Sequence, residues 1–131
     1  MVKKKEINIA IVGLGKVGSM FLKKLLEKER QGIKVIGVAE QTKDVPGIKL
    51  AKDKGIRIYG SPDELVSLGE EVDVIFDLTG NTDARKALRG GLARTGNQHT
   101  VIAPEVIAFL VWDLIAQGSE ELPESGAKRG Y

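Results

Sequence analysis

The run Ile7-Asn8-Ile9-Ala10-Ile11-Val12 leads directly into Gly13-Leu14-Gly15-Lys16-Val17-Gly18, and an amphipathic segment follows. A β-branched strand that meets three glycines at this spacing and then turns helical has few ways to fold. Gly13 permits a tight strand-to-helix turn, Gly15 lets bare backbone approach a ligand, and Gly18 lets the helix pack closely on the strand. The first helical N–H groups have no intrahelical partner and are anion donors. Glu40 closes the next apolar run, 22 residues beyond the third glycine. A carboxylate there accepts hydrogen bonds from both hydroxyls of an adenosine ribose. The arrangement predicts a dinucleotide site with Gly13, Leu14, Gly15, Lys16, Val17 and Gly18 around the pyrophosphate and Glu40 on the ribose. Because Glu40 also repels a 2′-phosphate, NAD is favoured over NADP, with Lys43 the residue best able to upset that preference by reaching a phosphate. Taken singly, the glycines read as an ordinary turn and Glu40 as a surface acid ending a strand.

Strands and helices alternate along the rest of the chain. Lys16 to Arg30 is an amphipathic helix, with Val17, Phe21 and Leu25 beside Leu22 and Leu26 on one side and mostly basic residues on the other. Lys34 to Ala39 reads as the second strand, Pro46 to Lys54 as a short helix and Ile56 to Tyr59 as the third strand. Ser61-Pro62-Asp63-Glu64 opens another helix, with a cap residue, a proline in the first turn and an acid three residues after the cap. Asp73 to Leu78 is the fourth strand, Asp83 to Arg94 a helix and Thr100 to Ala103 the fifth strand. Alternation of this kind predicts a parallel sheet with right-handed crossovers.

The last helix, from Pro104 to Gln117, is apolar at nine of the ten positions from Val106 to Ile115. One side covers the sheet. The remainder is either packed core or a surface for a second copy or another protein, with Trp112 and Phe109 as its expected anchors. The stretch from 119 to 131 is polar and turn-rich and reads as a mobile tail, leaving residues 1–118 as one domain.

At 131 residues, the chain has room for a core that needs no disulfide or metal staple, but not for two domains of a dehydrogenase. Its 20 basic and 18 acidic residues give no general pull toward nucleic acid. The absence of cysteine removes thiol catalysis and thiolate metal sites, and no metal site is expected. The lysines of Met1-Val2-Lys3-Lys4-Lys5 are followed by an apolar run without a cleavage site, so they read as a solvated lead-in rather than a signal peptide. The apolar run Val106 to Trp112 is too short to span a bilayer. The expected location is the cytoplasm.

Thr79, Gly80 and Asn81 follow the fourth strand on the edge where open parallel sheets bind ligands, so they are candidates for the nicotinamide side. A turn with a helix cap from Asn81 or Thr82 accounts for them equally well. Asp77, inside an apolar strand, needs a partner, and it reads as an acid tying down a neighbouring loop. His99 is the single histidine and reads as structural. No HExxH, GxSxG or P-loop lysine pattern occurs, so the chain offers a cofactor site without a visible catalytic set.

Residues 9–18, Glu40 and Val74-Ile75-Phe76-Asp77-Leu78-Thr79-Gly80-Asn81 resemble the N-terminal NAD(P)-binding domains of homoserine and aspartate dehydrogenase-type oxidoreductases. The similarity extends to the dihydrodipicolinate reductase and Gfo/Idh/MocA groups and covers residues 7 to 103. It implies an α/β Rossmann-type doubly wound parallel sheet in a single three-layer α/β/α domain. It also implies that the glycine loop and Glu40 hold the adenosine and pyrophosphate while Thr79 to Asn81 approach the nicotinamide riboside. In those families a second domain supplies the substrate pocket and most catalytic side chains. The leading reading is an NAD(H)-binding redox or nucleotide-sensing module, the alternative an oxidoreductase completed by a partner subunit or a dimer cleft, and the third an interaction module that has lost its ligand.

Overall fold

The computed structural model describes residues 6–29 and 32–116. Five parallel strands make one sheet: β1 (Ile7–Val12), β2 (Ile33–Ala39), β3 (Arg57–Tyr59), β4 (Val74–Asp77) and β5 (Val101–Ala103), in the order β3-β2-β1-β4-β5. The connections run outward from β1 in both directions, so the carboxyl edge between β1 and β4 is the switch point at which such sheets take ligands. The helices are α1 (Lys16–Glu27), α2 (Pro46–Asp53), α3 (Pro62–Leu65), α4 (Thr82–Arg94) and α5 (Glu105–Ile115), with a 3₁₀ stretch, Val66–Glu71, continuing α3.

β1 is buried on both faces because its alternate side chains feed two cores. Ile9 and Ile11 join Val17, Phe21, Leu25, Ile48 and Trp112 beneath α1, α2 and α5. Ala10 and Val12 join Leu65, Val66, Leu68 and Leu88 beneath α3 and α4. This is the three-layer, doubly wound architecture expected. An edge-to-face contact between Phe21 and Phe76, with ring centroids 4.8 Å apart, ties α1 to β4 across β1.

Local chemistry sets the element ends. α1 stops at Glu27, short of the expected Arg30, where the Lys28 N–H turns back onto the Leu25 carbonyl at 2.9 Å. Ser61 caps α3 by accepting from the Glu64 N–H at 3.3 Å, and the Glu64 carboxylate reaches back to the Gly60 N–H at 3.3 Å. The reciprocal bond thus falls one residue before the cap, a shifted version of the capping box.

α5 sorts its surface against hydrophobicity. Glu105, Ala108 and Trp112 face the sheet, and the charged Glu105 is only 3% exposed while Leu110 and Leu114 are 55% and 76% exposed. Trp112, expected as an anchor for an outside contact, is instead 4% exposed in the chain's own core, with the Lys24 ammonium 5.5 Å from its ring centroid. Phe109 is partly buried against the same cluster. The lead-in Met1–Lys5, the domain end at 118 and the tail 119–131 lie outside the described residues. Among the described residues no helix is long and apolar enough to cross a membrane.

Trp112 is the single tryptophan, so its fluorescence reports the docking of α5. Its emission is expected to be blue-shifted and poorly quenched by acrylamide until the chain unfolds. Trp112→Ala is expected to cost about 3–5 kcal/mol in urea denaturation. Quenching as efficient as that of free tryptophan would show that α5 does not pack this way.

Candidate functional site

An open crevice of about 590 Å³ lies along the carboxyl edge of the sheet. Its walls come from the turn after β1 (Gly13, Gly15, Lys16, Val17), the end of β2 (Glu40, Gln41, Thr42), the start of α3 (Gly60, Ser61, Pro62) and the loop after β4 (Thr79, Asn81). Four segments distant in sequence thus converge where the strand order reverses.

Each glycine of the turn meets a different constraint. Gly13 has φ of +94°, and a Cβ there would sit 3.0 Å from both the Thr79 amide nitrogen and its methyl. Gly18 packs so tightly that an added Cβ would lie 1.8 Å from the Gly13 carbonyl oxygen. Gly15 differs from both, since its φ is −67° and a Cβ built on it would meet no atom within 4 Å. Among the described residues no packing contact requires glycine there. That space is open, and Gly15 lines the crevice. Gly15 is also the N-cap of α1 and offers no side-chain bond to the first turn. The leading N–H groups of that helix are therefore directed to whatever occupies the crevice.

The Leu14 side chain is fully buried under α1 and α2, so this residue contributes backbone rather than side chain. Its N–H donates to Glu40 Oε1 at 2.6 Å, and the Thr42 N–H donates to Glu40 Oε2 at 2.9 Å. Sequence reading assigned Glu40 only to the ribose. The structure adds an anchoring role, invisible beforehand because the bond joins residues 26 apart. Each carboxylate oxygen keeps a second lone pair, so anchoring does not exhaust its capacity to accept. Lys43 is exposed beyond Glu40, whereas Lys16 lines the crevice.

On the opposite wall, Asp77 acts as expected of a buried acid tying down a loop. Its Oδ1 accepts from the Thr79 hydroxyl at 2.7 Å and from the Thr79 N–H at 3.2 Å. Thr79 Oγ1 in turn accepts from the Asn81 N–H at 3.0 Å, and Asn81 Oδ1 caps α4 through the Asp83 N–H at 2.7 Å. The cap reading of Asn81 is therefore realised while Thr79 and Asn81 still face the crevice. Gly80 is the exposed tip of that loop, with φ of +64°. His99 lies at the other end of the sheet, where its Nε2 is 2.5 Å from Asp73 Oδ1. Asp73 also accepts from the Asn8 N–H at 2.8 Å, so the pair fastens β1, β4 and β5 away from the crevice.

These surroundings separate two substitutions at sites three residues apart. Gly15→Val is expected to cost no more than about 1 kcal/mol of unfolding free energy, the loss of a favourable N-cap residue. Gly18→Ala is expected to cost about 3 kcal/mol or more, because the neighbour it meets is backbone. Equal losses in chemical denaturation would contradict the turn geometry.

The family model described as "Homoserine dehydrogenase, NAD binding domain" matches residues 13–118. Homoserine dehydrogenase from S. aureus, solved at pH 8.5, is 21% identical over 86% of this chain and 30% of its own, with a TM-score of 0.56. An oxidoreductase from Agrobacterium radiobacter, solved with NAD+, L-tartaric acid and magnesium, is 20% identical over 85% of this chain and 32% of its own, at TM-score 0.54. RSP, solved with β-NAD+ and operator DNA, is 13% identical over 84% of this chain and 55% of its own, at TM-score 0.56. Identities this low speak to the fold alone. No curated protein gives a significant match. The chain spans about a third of the length of the homoserine dehydrogenases it matches, 31% and 30% of the two solved chains. The family match covers most of the sequence, and the chain belongs to the homoserine dehydrogenase NAD-binding domain family, a nicotinamide-dinucleotide-binding unit of dehydrogenase-type oxidoreductases.

Proposed function

We propose that this chain binds NAD(H) in the crevice at the carboxyl edge and acts in the cytoplasm as a redox- or nucleotide-sensing module. The observation that carries the reading is Gly15, a glycine with an ordinary φ and nothing within 4 Å of its missing side chain, at the N-terminus of α1. A pyrophosphate against the amides of Gly15, Lys16 and Val17 uses that gap, with Gly13, Leu14 and Gly18 holding the turn in shape. Glu40 takes the adenosine ribose hydroxyls, and its charge disfavours the 2′-phosphate of NADP. Thr79, Gly80 and Asn81 border the nicotinamide riboside.

A sensing role is favoured by the distribution of titratable groups. Among the described residues lining the crevice these are Lys16 and Glu40, both at the pyrophosphate and adenosine end. The nicotinamide end offers Thr79 and Asn81, which orient a ligand but do not exchange protons near neutral pH. A second reading, favoured by the family match, is a dehydrogenase whose substrate side comes from a partner subunit or a dimer cleft. We also propose that Val106, Ile107, Leu110 and Leu114, exposed together on α5, meet a second copy of this chain or a partner protein.

Calorimetric titration with NAD+, NADH and NADPH tests the first reading. Saturable binding of NAD+ or NADH with a weaker NADPH response is expected, and Gly15→Val should abolish it. No binding below about millimolar concentration, equivalent to only ~4 kcal/mol, would remove the proposal. Substrate-dependent change in nicotinamide absorbance with small carbonyl or amino acid substrates would favour the dehydrogenase reading instead. Light scattering tests the α5 surface. A dimer that Leu110→Glu converts to monomer supports self-association, whereas a monomeric parent chain at high concentration rules it out.

A further inference from the structure

We propose that Ser19 is a positioning residue of the dinucleotide site, strapping the phosphate-binding turn to the segment that forms the adenosine wall. The inference rests on the NAD(H) reading above for its ligand, but the strap itself is visible in the chain.

The Ser19 hydroxyl, on the second turn of α1, donates to the Leu14 carbonyl at 2.6 Å. The same oxygen accepts from the Gly47 N–H at 3.0 Å. Gly47 stands in the first turn of α2, where helix amides lack partners, and the N-cap residue Val45 supplies no side-chain bond. Ser19 therefore caps α2 from another helix. Only a group that donates and accepts at one atom can do both tasks, which restricts the position to a hydroxyl. The partner is shaped to match, since a Cβ on Gly47 would sit 2.6 Å from Ser19 Oγ and 3.0 Å from Leu14 Cβ.

Leu14 is thereby held from both sides. Its N–H goes to Glu40 and its carbonyl to Ser19, while the Gly13 N–H donates to the Ala39 carbonyl at 2.8 Å. The segment between Glu40 and Gly47 carries Gln41 and Thr42, which line the crevice. It is pinned at one end by the Glu40 carboxylate on Thr42 and at the other by Ser19 on Gly47. The turn that faces the pyrophosphate and the wall that faces the adenosine are thus joined through Ser19, which is half-buried. A site ordered before its ligand arrives spares binding the entropy of ordering it. Removing the hydroxyl leaves the Leu14 carbonyl and the Gly47 N–H without this bond and transfers the ordering to the ligand.

The test compares NAD+ affinity by calorimetry in the full chain, Ser19→Ala and Leu88→Ala. Leu88 is fully buried in the opposite core, so its truncation lowers stability without touching the strap. Ser19→Ala is expected to weaken NAD+ binding roughly tenfold, and Leu88→Ala to leave it within about twofold while the protein stays folded. Amide exchange at Gly47, measured without ligand, should accelerate about tenfold in Ser19→Ala only. Unchanged NAD+ affinity in Ser19→Ala, or an equal loss in Leu88→Ala, overturns the positioning role. If the parent chain fails to bind NAD+, the functional reading falls. The strap then stands or falls on the Gly47 exchange alone, and an unchanged rate overturns it.

Discussion

The contact between Gly18 and the carbonyl of Gly13 is the constraint on which the rest of the structure depends. A single methyl at Gly18 would fall 1.8 Å from that oxygen, so α1 starts as close to the end of β1 as backbone can come. This proximity places α1 over β1, and β1 is the strand from which both halves of the sheet take their register, through β2 on one side and β4 on the other. It also leaves the positive end of the helix facing the crevice at the switch point. Fold and crevice are consequences of the same turn.

The electrostatics of the crevice follow from how its acid is placed. An unpartnered carboxylate beside a phosphate-binding turn would oppose its anionic ligand. Glu40 instead lies against the N–H groups of Leu14 and Thr42, whose dipoles offset its charge and fix its direction. It stands to one side of the α1 N-terminus. The positive end of the helix and the carboxylate thus present opposite signs at separate places along the crevice.

The elements were legible because each carries a strong local signal. Continuous β-branched runs, four-residue apolar spacing, and the Ser61-Pro62 start all lie within a few residues of where they act. Errors at helix ends have local causes, such as the Lys28 turn that closes α1 early. The unread features connect distant residues. The Glu40 bond to Leu14 spans 26 positions and the Ser19 bond to Gly47 spans 28, and no spacing rule announces either. α5 was unreadable for another reason. A helix apolar almost all round has no period from which to choose a face. The sheet made that choice by burying Glu105, Ala108 and Trp112 while leaving two leucines outside.

The crevice also has an ordered loop at its β4 side. Asp77, Thr79 and Asn81 form a hydrogen-bonded series from β4 to the cap of α4, so the loop at the proposed nicotinamide end is held by the chain's own polar groups. Such a loop can orient a ring and exclude alternative poses, and at Thr79 and Asn81 its side chains are a hydroxyl and an amide. In a dinucleotide enzyme the demands of binding and of reaction fall on different groups. Selecting and activating a substrate would need side chains that approach the proposed nicotinamide position from the open side of this crevice.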